Sequence, residues 1–68
     1  MINMEEEKKE LEKIEHKNRT WTSSFMREQS IWDEISMNIN SYTGKDQEYW
    51  FRVMDLYKEK YRQLKQKQ

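Results

Sequence analysis

Apolar side chains recur at helical spacing in two stretches of this chain, separated by its one glycine, Gly44. Phe25, Trp32, Ile35 and Ile39 form a stripe before it, and Trp50, Val53, Tyr57, Tyr61 and Leu64 form a stripe after it, which predicts two amphipathic helices. There is no proline, so Gly44 is the single strong backbone breaker. The segment Ser41-Tyr42-Thr43-Gly44-Lys45-Asp46 has turn chemistry: glycine tolerates a positive φ after one helix, and Thr43 or Asp46 can cap the next. The expectation is a helical hairpin about Gly44, over residues 23–40 and 46–66. Phe25 and Trp32 are expected at the centre of its core, with Met26, Ile31 and Met37 widening the stripe on the flanks.

Residues 1–20 predict a further, acidic helix, dense in strong helix formers. Asn3 is a candidate cap, Glu5, Glu6 and Glu7 fall in the first turn where the helix dipole favours negative charge, and Glu5–Lys9 and Glu10–Lys13 have pairing distance. Its apolar face, Met4, Leu11 and Ile14, is thin, so this helix must borrow a neighbour or fray. The polar run from Asn18 to Ser24 competes for backbone hydrogen bonds and predicts a break. A single rod to residue 40 is the alternative, because Met4, Leu11, Ile14, Trp21, Phe25, Trp32, Ile35, Ile39 and Tyr42 share one heptad frame that Glu7 and Glu28 interrupt. The fold class read from these patterns is all-α, two to three helices in one domain spanning 1–68.

Length changes that picture. A chain of 68 residues buries only roughly 60% of the surface its unfolded form exposes, and a scaffold of that size usually needs a staple. Cysteine is absent, which removes disulfides, thiolate chemistry and cysteine-based zinc sites. The remaining staple is association, so a homodimer or a partner-bound chain is expected. Thirteen basic residues balance thirteen acidic ones, but the N-terminal segment is acidic while residues 57–68 carry Lys58, Lys60, Arg62, Lys65 and Lys67 against Glu59. No apolar run approaches the ~20 residues of a membrane span, and the Glu-rich start is unlike a signal peptide; a soluble, cytoplasmic protein is expected. The lack of alanine beside nine lysines suggests an AT-rich genome, such as a Gram-positive bacterium or its phage.

Candidate chemistry is sparse. His16 has Glu12 one turn before it, but two potential ligands without a third do not make a metal site, and an arrangement with Ser23 or Ser24 would need a water-excluding cleft. Gly44-Lys45 lacks the rest of a phosphate loop, since Ile39 and Asp46 stand where glycine and Ser or Thr are required. Asn18-Arg19-Thr20 matches a glycosylation triplet that arises often by chance. The expectation is therefore no enzyme, no cofactor, no metal and no small-molecule substrate. The aromatic residues weigh more: Trp32, Trp50 and Phe25 are expected in the core, whereas Trp21, in the polar break, is expected with Arg19 and Met26 to form a partner contact.

The basic end of the last helix has a second reading as a nucleic-acid surface, with Lys45, Gln47, Arg52, Lys58 and Arg62 as candidate contacts. Trp21-Thr22, Ile31-Trp32-Asp33-Glu34-Ile35 and Gly44-Lys45-Asp46-Gln47-Glu48-Tyr49-Trp50 resemble the spaced tryptophans of Myb/SANT repeats, in which the third of three helices reads the major groove. That resemblance implies base or phosphate contacts from Lys45, Gln47 and Arg52. The interval from Trp32 to Trp50 suits such a repeat, but the interval from Trp21 to Trp32 is too short for a first helix and its turn, and the family is not adopted. The function expected from sequence is a protein–protein interaction module, a regulator or inhibitor that binds a larger protein or homodimerises; the alternative is a DNA-binding regulator of helix-turn-helix or Myb-like type.

Overall fold

The structure, a computed structural model, describes the backbone of residues 4–66 and the side chains of residues 4–61. Among these residues the chain forms three helices and no strand: α1 (Glu5–Lys17), α2 (Ser24–Ser41) and α3 (Gly44–Gln66). Asn3, proposed above as a cap, lies outside the described residues, as do the side chains of Arg62, Leu64, Lys65 and Lys67. The chain leaves helical geometry between Lys17 and Ser24, so the unbroken rod to residue 40 does not form.

Each boundary has a local cause. α1 has no side-chain cap at Met4, but three glutamates fill its first turn and His16 and Lys17 its last, the arrangement the helix dipole favours at both ends. α2 starts where the Ser23 hydroxyl accepts from the Met26 amide at 3.4 Å, satisfying one of the orphan donors of a helix start. It stops where Tyr42 turns extended at φ −112° and ψ 161°. Gly44 then takes φ +63°, the left-handed region that costs an L-residue roughly 1–2 kcal/mol. This is the conformation its place in the turn predicts. The glycine is at the same time the first residue of α3, which starts two positions earlier than its sequence pattern indicates, with Asp46 in the first turn.

α3 is the spine of the molecule: both α1 and α2 pack against it. At about 1.5 Å of rise per residue its 23 residues span the 34 Å of the longest molecular dimension. The radius of gyration is 12.3 Å, above the ~11 Å of a compact chain of this length, because α3 outreaches its two neighbours. The core draws Leu11 and Ile14 from α1, Ile31 and Ile35 from α2, and Val53, Met54 and Tyr57 from α3.

That core corrects one expectation. Phe25 and Trp32 are not at its centre: Phe25 is 71% exposed and Trp32 39% exposed, Trp50 is only partly buried, and Ile35 and Val53 are wholly enclosed. Ile31 and Ile35 sit one turn apart on one face, and Phe25 and Trp32 share another face about 100° around the helix. α2 therefore carries more than one apolar stripe, and only that of Ile31 and Ile35 is enclosed in the core.

Polar contacts hold α1 in place. The Arg52 Nε donates to Glu7 Oε2 at 2.6 Å, Lys60 pairs with Glu15 at 2.8 Å, and the Tyr49 hydroxyl lies 3.2 Å from both the Glu6 carbonyl and Glu10 Oε1. Glu7 is 5% exposed. Its hydrogen bond from Arg52 holds the carboxyl below its ordinary pKa of 4.5, against the opposing pull of burial. The heptad interruption noted in the sequence is thus the buried half of an ion pair.

Candidate functional site

Asn18, just past α1, organises the most conspicuous surface feature. It is 5% exposed. Its Nδ2 donates at 2.8 Å to the Ile14 carbonyl, which also accepts the Asn18 backbone amide at 3.2 Å. Its Oδ1 accepts from Trp21 Nε1 at 3.1 Å and from Ser30 Oγ at 2.7 Å. One buried amide thus ties the end of α1, the indole of the connecting loop and the middle of α2. The Arg27 guanidinium adds a bond of 2.8 Å to the Trp21 carbonyl, so the indole is fixed from both its ring nitrogen and its backbone.

So held, Trp21 walls a shallow groove along the flank of α2 with Met26, Ser30, Asp33, Met37 and Asn38. Three of its apolar side chains face solvent, Trp21 by 42%, Met26 by 44% and Met37 by 67%. A pinned aromatic beside two adaptable thioethers is the composition of a protein-binding surface. The electrostatics are mild: Glu34, at the groove edge, pairs with Lys17 at 2.8 Å, while Asp33 accepts from Gln29 at 3.0 Å with no cation paired to it among the described residues.

Of the three residues expected at a partner contact, Trp21 and Met26 meet in this groove and Arg19 does not. Arg19 turns back onto α1, where its guanidinium donates to Nδ1 of His16 at 3.3 Å. Met37, expected on the edge of the core, is the apolar groove residue that the sequence reading missed, along with the polar Ser30, Asp33 and Asn38. The signal for Met37 was its position, eleven residues and so three helical turns after Met26, on a face distinct from those of Ile31 with Ile35 and of Phe25 with Trp32.

The nucleic-acid candidates are dispersed. Lys45 is exposed at the start of α3. The Gln47 Nε2 donates to the Ile39 carbonyl at 2.9 Å, closing the end of α2. Arg52 is committed to Glu7. The Lys58 Nζ lies 5.6 Å from the centroid of Trp32, and the side chain of Arg62 is outside the described residues. On the exposed side of α3 the surface residues include Glu48, Phe51, Asp55 and Glu59, so carboxylates share the face that would have to meet phosphate.

Ser23 is occupied as the cap of α2. Among the described residues no three His, Cys, Asp or Glu side chains converge as a metal site, and no described helix is long and apolar enough to cross a membrane. No family model matches this chain, and no curated protein or solved structure matches it either, so the surface chemistry alone carries the functional reading.

Proposed function

We propose that this chain is a protein–protein interaction module without catalytic activity, a small regulator or inhibitor that docks the Trp21 flank of α2 onto a larger protein or a second copy of itself. The observation that carries this reading is the groove of Trp21, Met26 and Met37. An indole already pinned by Asn18 loses little rotamer freedom on binding, and ordering a free side chain costs about 0.5–1.5 kcal/mol. Tryptophan is also the residue most enriched at interface hot spots, and Ser30, Asp33 and Asn38 supply the polar rim that such patches carry. The reading is favoured over a nucleic-acid surface because Gln47 and Arg52 are spent on contacts inside the fold.

Sedimentation equilibrium over a wide concentration range tests it, with Met37→Glu as the disrupting variant. A dimer that Met37→Glu returns to monomer, at unchanged helical content, supports the second copy as occupant. A wild-type monomer throughout leaves the larger protein. If Trp21→Ala and Met37→Glu then also leave the set of proteins cross-linked to the chain in its host cell unchanged, the reading fails.

A further inference from the structure

The Phe25 and Trp32 stripe of α2 lies about 120° around the helix from Met26 and Met37. Phe25 and Trp32 meet Tyr57 and Tyr61 of α3 around a recess of about 120 Å³ whose remaining walls are Glu28 and Gln29. The rings stand at angles to one another: Trp32 meets Tyr57 edge-on at 62° and 6.3 Å between centroids, and Tyr57 meets Tyr61 at 32° and 6.2 Å. Aromatic faces carry negative quadrupole density, and walls of several rings form a cage for a positive group within about 6 Å of their centroids.

We propose that this recess binds a methylated ammonium group, presented as the methyl-lysine side chain of a protein partner. Three observations converge on that chemistry. Glu28 lines the recess, is partly buried, and takes part in none of the ion pairs formed by the described residues. Burial first, and the charge of Glu28 second, push the Tyr57 hydroxyl up to about 12, so negative potential reaches into the ring cluster. Trp32 already draws an ammonium, since the exposed Lys58 Nζ rests 5.6 Å from its centroid.

Size and composition select the ligand further. The recess is far below the roughly 300–1,000 Å³ of sites for whole small molecules, so it takes a head group while the remainder stays outside, as a side chain hanging from a polypeptide does. Its lining is mostly aromatic, which suits a weakly hydrated methylated cation better than a strongly hydrated primary ammonium. The recess and the Trp21 groove share Gln29 but no apolar residue, so the test of the recess is separate from that of the groove.

The test follows the Trp32 indole N–H by nitrogen-15 NMR during titration with choline and with its neutral isostere 3,3-dimethylbutan-1-ol. Choline is expected to shift the signal saturably and to bind about tenfold tighter than the isostere, the discrimination that a desolvated cation–π contact supplies. Glu28→Gln and Phe25→Ala are each expected to weaken choline severalfold; Phe25 is largely exposed, so its loss spares the fold, and the unshifted signals elsewhere verify that. A peptide carrying trimethyl-lysine is expected to bind tighter than choline and than the same peptide with unmodified lysine. Equal binding of choline and isostere, or no shift with choline, overturns the cation site. Choline binding without a gain from the trimethyl-lysine peptide overturns the protein partner.

Discussion

Replacing Arg52 by Met strands the Glu7 carboxylate in the core while keeping most of the side-chain volume. The bond broken is 2.6 Å long, with 6% of the Glu7 side chain and 38% of the Arg52 side chain exposed. Removing one partner of a fully buried pair costs about 3–5 kcal/mol, whereas exposed pairs are worth about 0–1 kcal/mol. With one end still in water, the expected loss is about 2 kcal/mol. A chain of this length has roughly 3–10 kcal/mol of total stability, and each kcal/mol moves the melting temperature by about 4–8 °C, so the variant should melt roughly 8–16 °C lower at pH 7. The pH dependence has a definite sign. Glu7 is held below 4.5 in the folded state, so its contribution is complete above pH 4.5 and disappears as pH falls through the folded value. In Arg52→Met the carboxyl keeps the burial cost, offset only by the hydrogen bond from its own backbone amide; protonation relieves that cost, and the gap to wild type should narrow at pH 3. Thermal melts of wild type, Arg52→Met, Glu7→Gln and the double variant, at pH 7 and pH 3, measure both effects. A loss below about 0.5 kcal/mol at pH 7, the scatter of ordinary surface substitutions, or a gap that stays constant at pH 3, would refute the buried-pair account.

Two further outcomes follow from the same contacts. Asn18→Ala removes the partner of Trp21 Nε1 and Ser30 Oγ at once and leaves the Ile14 carbonyl only its backbone donor; urea denaturation should show a loss of about 2 kcal/mol, and Trp21 fluorescence should shift as the indole is released. Tyr49 and Tyr57 are raised from 10 to about 12, chiefly by burial, so an absorbance titration should show two tyrosines ionising late; their stabilising effect is complete below pH 10 and is lost as pH climbs to about 12.

Much of the helical layout could be read from local chemistry. Gly44 and the polar stretch after Lys17 are breaks whose causes lie within a few residues, and the boundaries fall near them. The choice of buried stripe could not be read in this way. α2 has isoleucines on one face and large rings on another, and periodicity ranks them by size; which face meets α3 depends on Val53 and Tyr57, residues distant in sequence. Glu7 was equally opaque, because a charge in a heptad seam is a flaw until a guanidinium 45 residues away lies beside it. At the candidate groove Trp21 stood out by its polar surroundings, but the atom that pins it belongs to Asn18, a residue that reads as an ordinary turn former. The aromatic recess was invisible for a related reason: its four rings come from two helices, and their chemistry exists only after those helices are packed.

Position 44 has one more implication. A β-carbon added to the glycine would meet nothing within 4 Å, so what reserves this site is handedness, not room. The usual ranking of replacements by bulk is therefore inverted here. Asparagine, which visits left-handed geometry through its own short polar side chain, is the better substitute, and alanine, though smaller, is the worse one. Drift at this site should follow backbone tolerance and ignore volume.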